Sequence, residues 1–178
     1  MPNSPPERIA PERIAIVEAD IATLDVDAIV NAANRHLEAG AGVCGAIHRA
    51  AGSELAKACA RVGGCPTGEA RLTPGFKLKA RHVIHAVGPV WQGGDKGEDA
   101  LLAGCYRSSL EIAAANGIRS IAFPAISTGV YGYPLERATG IAIAAVREGL
   151  SRHPEIAQVL FCCFGAEPAA LYRRLLSQ

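Results

Sequence analysis

The chain predicts an α/β fold: a central sheet with helices on both faces, three layers deep. Short apolar runs, some alternating with polar residues, recur between longer stretches whose apolar residues fall at helical spacing. Glycine, proline and asparagine punctuate the junctions between them. Two glycine-rich loops each follow an apolar strand, which is where open sheets of this kind place their ligands. Strands that must be covered on both sides, supplied with enough helices to do so, give a layered α/β/α arrangement.

The opening carries a small duplication, Pro6-Glu7-Arg8-Ile9-Ala10 and then Pro11-Glu12-Arg13-Ile14-Ala15. It reads as a mobile proline-rich tail over residues 1–12, with a single domain over residues 13–178. Residues 13–18 alternate like a strand, and residues 28–30 form a short buried one. Residues 45–51 and 53–62 are helical segments split at Gly52. Residues 69–73 and 82–87 are strands, stopped by Pro74-Gly75 and Gly88-Pro89. Over residues 99–115, Leu102, Cys105, Tyr106, Ser109, Leu110 and Ala113 share one helical face, and Asn116-Gly117 ends that helix as a C-cap. Residues 120–125 are a strand. Residues 135–150 form a helix that turns Ala138, Ile141, Ala142, Ala145 and Val146 inward. Residues 158–164 are the last strand, and residues 168–176, with proline near the start, the last helix.

Ile29-Val30-Asn31-Ala32-Ala33-Asn34 runs a buried strand into two side-chain amides. Gly40-Ala41-Gly42-Val43-Cys44-Gly45-Ala46-Ile47-His48 follows, a glycine-rich turn and the first turn of a helix. Bare N–H groups beside a helix N-terminus suit a phosphorylated ligand. The second loop, Ser127-Thr128-Gly129-Val130-Tyr131-Gly132, offers the same from another strand end, so the pair suggests a pincer around a diphosphate. Gly40, Gly42 and Gly45 satisfy a G-x-G-x-x-G pattern, but they do not directly follow the strand and no ribose-binding carboxylate follows near Cys65. A nicotinamide site is therefore not supported, and no glycine loop ends in the Gly-Lys-Ser/Thr of a P-loop.

The 178 residues carry a formal net charge of +1 and only one Trp, four Tyr and four Phe. Polynucleotide grooves need a positive face and stacking aromatics, so none is expected, and any phosphate must be held by N–H groups and helix dipoles. Residues 1–11 lack the layout of a secretory signal, and no apolar run approaches the ~20 residues that cross a bilayer. The expectation is a cytoplasmic protein, with no membrane contact, whose six cysteines are thiols. Cys162 and Cys163 face opposite sides of a strand, as do His82 and His85, and Cys59 and Cys65 lack a second pair. Neither a metal nor a cofactor is expected.

Asp20-Ile21, Val26-Asp27-Ala28-Ile29-Val30-Asn31-Ala32-Ala33-Asn34, the stretch from Gly42 to Gly52, His85-Ala86-Val87-Gly88-Pro89 and the stretch from Pro124 to Gly132 together resemble a MacroD-type macrodomain. The likeness runs from about Arg13 onward, in the right order and spacing. It implies a three-layer fold around a mixed six- or seven-stranded sheet and an ADP-ribose ligand or ADP-ribosylated substrate; a monomer is expected, though nothing in the sequence fixes the oligomeric state. It is similar in particular to bacterial O-acetyl-ADP-ribose deacetylases.

The resemblance also implies roles. Asp20 matches the carboxylate that accepts from the adenine amino group, as a carboxylate does from cytosine, with Ile21 offering its N–H; otherwise Asp20 is a capping residue. Ala19 stands where the family usually has glycine. Asn34 matches the amide that orients the distal ribose, while Asn31 joins the site chiefly by bracing the loop. Gly40, Gly42, Val43, Ser127, Thr128, Gly129, Val130 and Tyr131 line the diphosphate and distal ribose. Tyr131 covers the ribose, or is an ordinary surface aromatic. Phe164 stacks beside adenine, or packs in the core.

Cys44 is the departure. Many MacroD-type hydrolases carry there an aspartate credited with activating water, and a thiol cannot copy its acceptor-only charge. Three readings follow: a spacer, with water activated by the substrate's own phosphate; a nucleophile, its pKa lowered at the helix N-terminus; or lost catalysis. His48, one turn along, could contact it. The expected activity is hydrolysis of O-acetyl-ADP-ribose or of mono-ADP-ribosyl Asp/Glu, with Asn34, Cys44 and Tyr131 as the catalytic candidates. The alternative is a binding module without turnover.

Overall fold

Six strands lie side by side in the computed structural model, which describes residues 13–178. The tail reading of residues 1–12 falls outside them. The strands are β1 (Ile14–Glu18), β2 (Ala28–Ala32), β3 (Ala70–Pro74), β4 (His82–Ala86), β5 (Ser120–Phe123) and β6 (Gln158–Cys163). Their order is β1-β6-β5-β2-β4-β3. All neighbours run parallel except β3, which pairs antiparallel with β4 at one edge. Pro74 ends that edge strand, where a missing N–H is tolerated.

Five helices cover the sheet: α1 (Gly42–Ala51), α2 (Ser53–Val62), α3 (Glu98–Ala115), α4 (Leu135–Arg152) and α5 (Ala166–Leu176). The period-two alternation of the strands divides the interior into two cores. Val159, Phe161 and Cys163 join Tyr106, Leu110, Val146 and Tyr172 of α3, α4 and α5 on one face. Leu160 and Cys162, the residues between, join Ile47, Leu55 and Cys59 of α1 and α2 on the other. Adjacent cysteines thus end in different cores, as strand geometry requires.

Most element boundaries fall within a residue or two of expectation, and two of the shifts matter. β2 continues through Asn31 and Ala32, so Asn31 is a strand residue. α1 begins at Gly42 rather than residue 45, which places Cys44 inside its first turn. Gly42 has φ +59°, a conformation only glycine adopts without strain, and Ala41 before it supplies no side-chain cap.

Candidate functional site

The C-terminal ends of β1, β6, β5 and β2 open into one cleft made of two joined cavities. The larger, about 600 Å³, has Asp20, Ile21, Ala46, Arg49, Thr128 and Phe164 among its walls. The smaller, about 350 Å³, is walled by Asn34, Gly40, Cys44, Ser127, Val130 and Tyr131 with their neighbours. Gly42, Val43, Ala125 and Gly129 line both and form the neck between them.

The neck is built from backbone donors. The first N–H groups of any α-helix lack intrahelical acceptors, and no side chain caps those of α1. Across from them, residues 125–133 form a turn closed by Gly132 N–H to Gly129 O (2.9 Å) and Tyr133 N–H to Ser127 O (2.9 Å). Among the described residues the N–H groups of Gly129, Val130 and Tyr131 have no backbone partner. Thr128 spends its hydroxyl on the Ala125 carbonyl, 2.9 Å away. Two helix and loop ends that point uncommitted donors at one space make an anion seat without any lysine.

Packing forces this geometry at two glycines. A Cβ on Gly45 would stand 2.5 Å from the Gly40 carbonyl, and one on Gly88 only 2.1 Å from Ser127 Oγ. Ser127 itself takes φ +66°, and its buried hydroxyl has no partner among the described residues. Buried hydroxyls are nearly always paired, so this one is a vacant donor on the wall of the smaller cavity.

Among the described residues no Asp, Glu, His, Lys or Arg lines the smaller cavity. Asn34 braces the turn behind it: Oδ1 accepts from the His36 and Glu38 N–H groups (both 3.1 Å), and Nδ2 donates to the Glu38 carbonyl (3.0 Å). One amide hydrogen remains for the cavity. The loop-bracing role expected of Asn31 thus belongs to Asn34. Asn31 lines neither cavity; it is buried, and its Nδ2 reaches His85 Nδ1 (3.1 Å) and Cys44 Sγ (3.6 Å). The change follows from β2 being longer than expected, which turns residue 31 toward α1.

Beneath Cys44 lies a polar layer. His85 is fully buried, and burial followed by the nearby His48 pushes its pKa down to about 4. Its neutral ring accepts from Asn31 and donates from Nε2 to Thr73 Oγ1 (2.9 Å). Cys59 Sγ stands 3.7 Å from the same nitrogen, its thiol pushed up to about 11 by burial and by Cys44. Cys44 Sγ donates to the Glu38 carbonyl at 3.6 Å. Among the described residues no imidazole or carboxylate hydrogen-bonds this thiol, and His48 leaves Nε2 buried without a partner.

In the larger cavity Asp20 Oδ1 accepts the Ala22 N–H (3.0 Å) and caps the short 3-10 turn Ile21–Thr23, while among the described residues Oδ2 accepts no hydrogen bond. Phe164 is 87% exposed, so it forms a movable wall rather than part of a core. Among the described residues no group of His, Cys, Asp and Glu is arranged to hold a metal, and no helix is long and apolar enough to cross a membrane.

The sequence profile of the Macro domain family matches residues 30–142. The chain belongs to the Macro domain family. This macrodomain is 56% identical over 166 residues to a Klebsiella pneumoniae protein named O-acetyl-ADP-ribose deacetylase, covering 91% of the chain and 95% of that relative. It superposes on an Oceanobacillus iheyensis macrodomain solved with ADP with a TM-score of 0.86 at 41% identity, over 91% and 88% of the two chains. A Trypanosoma brucei macrodomain in complex with ADP-ribose gives 0.86 at 46% identity, over 91% and 68%.

The macrodomain cleft also contains residues that sequence reasoning missed. Arg49 is the one cation lining either cavity; it sits two turns into α1, with nothing local to mark it. Leu135 and Pro168, near the starts of α4 and α5, wall the larger cavity. Their signal was available, since helices that follow parallel strands begin at the C-terminal edge of the sheet. Gly88 was legible as a strand-ending glycine, but not as the floor beneath Ser127.

Proposed function

We propose that this macrodomain binds ADP-ribose along the cleft and hydrolyses esters at the distal ribose. Adenine occupies the larger cavity, its amino group on the free Asp20 oxygen, with the Ile21 N–H beside it and Phe164 over the ring. The diphosphate sits at the neck on the N–H groups of α1 and of residues 129–131. The distal ribose enters the neutral cavity, oriented by the remaining Asn34 hydrogen and the Ser127 hydroxyl and covered by Tyr131. The observation that carries this reading is the neck, where uncommitted N–H groups from two elements converge between a carboxylate-bearing cavity and an uncharged one.

The substrates are O-acetyl-ADP-ribose and mono-ADP-ribosyl Asp or Glu on proteins. Water attacks either the acyl carbonyl or C1″ of the distal ribose as its proton passes to a substrate phosphate oxygen. In the first case the acyl C–O bond breaks, the departing ribose oxygen takes that proton, and the acid and ADP-ribose are released; in the second the C1″–O bond breaks, the carboxylate leaves, and the phosphate returns the proton to solvent. Positioning and preorganised donors carry such a step, and the uncharged cavity does not repel the phosphate that accepts the proton. Cys44 serves as a spacer, because its thiol is occupied by the Glu38 carbonyl and the Asn31 amide and lacks a paired base. The protein acts as a monomer in a reducing, cytoplasmic setting, consistent with six unpaired cysteines.

Calorimetry with ADP-ribose and release of ADP-ribose from an auto-modified acceptor test both halves. Heat with release supports the hydrolase. Heat without release above buffer leaves the binding module, the second reading, which the missing carboxylate at position 44 favours. Cys44→Ala retains its rate if the thiol is a spacer, and loses it if the thiol attacks. Cys44→Asp gains rate where a protein base can take over from the substrate phosphate.

A further inference from the structure

We infer that Glu98 is a positioning residue for the distal half of the cleft, acting through Trp91; the inference rests on the ADP-ribose reading above. Glu98 opens α3 and is 1% exposed. Its carboxylate gathers three backbone donors from the preceding loop: Gln92 N–H (3.0 Å) and Gly94 N–H (2.8 Å) on Oε2, and Lys96 N–H (2.5 Å) on Oε1. Burial alone would raise its pKa, but those bonds outweigh it and hold the group below the usual carboxylate range. The loop it gathers contains Gly93, Gly94 and Gly97, all at positive φ. Such a segment has much conformational freedom to lose and little of its own to order it. The carboxylate supplies the order.

What the ordered loop presents is Trp91. Its N–H donates to the Tyr131 carbonyl at 2.8 Å, and its ring lies 4.7 Å from that of Tyr133 and under the Arg137 guanidinium at 5.1 Å. Arg137 grips both oxygens of Asp99 (2.9 and 2.6 Å), which also accepts the Tyr133 hydroxyl. Tyr133 N–H in turn holds the Ser127 carbonyl. The glycine loop is therefore anchored at both ends to the start of α3, through Trp91 at Tyr131 and through Tyr133 at Ser127. Neither Glu98 nor Trp91 lines either cavity. Asp20 and Phe164 lie at the ends of β1 and β6 and hydrogen-bond nothing in this brace. Loosening the brace must then cost the distal ribose and spare adenine.

Trp91 is the single tryptophan of the chain, so its emission reports on the brace directly. Two ligands divide the cleft: ADP-ribose fills both ends, and AMP lacks the second phosphate and the distal ribose. In the wild-type protein, ADP-ribose shifts Trp91 emission and AMP does not. In Glu98→Gln the side-chain NH2 faces backbone donors, so at least one of the three bonds is lost. Trp91 emission moves to longer wavelength, ADP-ribose binds about tenfold more weakly, and AMP affinity holds within about twofold.

An equal loss for both ligands, or none for either, overturns the inference while leaving the ADP-ribose reading intact. Wild-type protein that binds ADP-ribose with Trp91 emission unchanged overturns it too, and that measurement stands whatever the folding of the variant. Wild-type protein that binds neither nucleotide overturns the ADP-ribose reading, and the inference with it.

Discussion

Lowering the pH through the range in which histidine titrates should destabilise this fold, chiefly through His85. Both ring nitrogens are engaged, Nδ1 by the Asn31 amide and Nε2 by Thr73. A second proton on Nδ1 would face the Asn31 NH2 with no water to spread the charge. Burial, with a smaller contribution from His48, accordingly pushes the pKa from 6.5 to about 4. The unfolded chain takes up a proton near 6.5, and the folded one refuses it until about 4. Within that window the unfolded state binds more protons, so stability falls as the pH falls. The contribution is complete above the unfolded value and gone below the folded one. At about 1.4 kcal/mol per pH unit, the interval is worth roughly 3 kcal/mol. Urea unfolding followed from about pH 7.5 down to about pH 4.5 measures it. Wild-type stability should decline across the window, and His85→Gln, starting lower, should decline far less. Some slope persists in the variant because burial also lowers the pKa of His48. Equal slopes in the two proteins would refute the account of His85 as a neutral, buried strut.

Asp20→Asn keeps the cap on Ala22, since asparagine caps as well as aspartate, but its single acceptor oxygen is then used; calorimetry should show ADP-ribose bound about tenfold more weakly, with the melting temperature unchanged. Gly88→Ala drives a methyl to within 2.1 Å of Ser127 Oγ and 2.6 Å of Ile126 Cγ2. Overpacking of this kind costs about 1–3 kcal/mol, and thermal melts together with ADP-ribose titration should show lost stability and a larger loss for ADP-ribose than for AMP. Asp27, at the opposite end of the sheet, accepts from Arg119 N–H (2.8 Å), Ser120 N–H (3.2 Å) and Arg81 (2.6 Å). Burial would raise its pKa; these partners lower it on balance. Its stabilisation is present above the ordinary carboxylate value of about 4 and lost as the pH falls through the lower folded one. Asp27→Asn should therefore flatten the acid limb of a melting-temperature profile.

Patterns that repeat along the chain were legible, and single residues whose neighbours are distant were not. Strand parity alone placed Cys162 and Cys163 in different cores and His82 and His85 on different faces. Helical spacing likewise placed Leu102, Tyr106 and Leu110 against the sheet. The start of α1 was misplaced because its signal is missing: Ala41 cannot cap, and the helix begins on a left-handed glycine instead. The two asparagines of Asn31-Ala32-Ala33-Asn34 look interchangeable in sequence. Their division of labour depends on where β2 stops, which its pairing with β4 decides by carrying the ladder on to Asn31↔His85 and Ala32↔Ala86. Glu98 gave no sign of its role, because a glutamate opening a helix is common and its three donors come from a loop with no periodicity at all.

The thiol at position 44 fits its surroundings as a hydrogen-bond donor, which a carboxylate could not be. The Glu38 carbonyl accepts from Asn34 Nδ2 at 3.0 Å and, more weakly, from Cys44 Sγ at 3.6 Å, so two donors converge on one oxygen behind the distal cavity. A carboxylate at position 44 is acceptor-only; it would keep the Asn31 amide, oppose the Glu38 carbonyl, and disturb the turn that orients Asn34. In Cys44→Asp, a gain from the new base is therefore set against a loss of orientation, and the rate reports the difference. A neutral donor at this position therefore suits the loop as it stands. On the hydrolase reading proposed above, water activation then falls to the substrate, because among the described residues no Asp, Glu, His, Lys or Arg lines the smaller cavity.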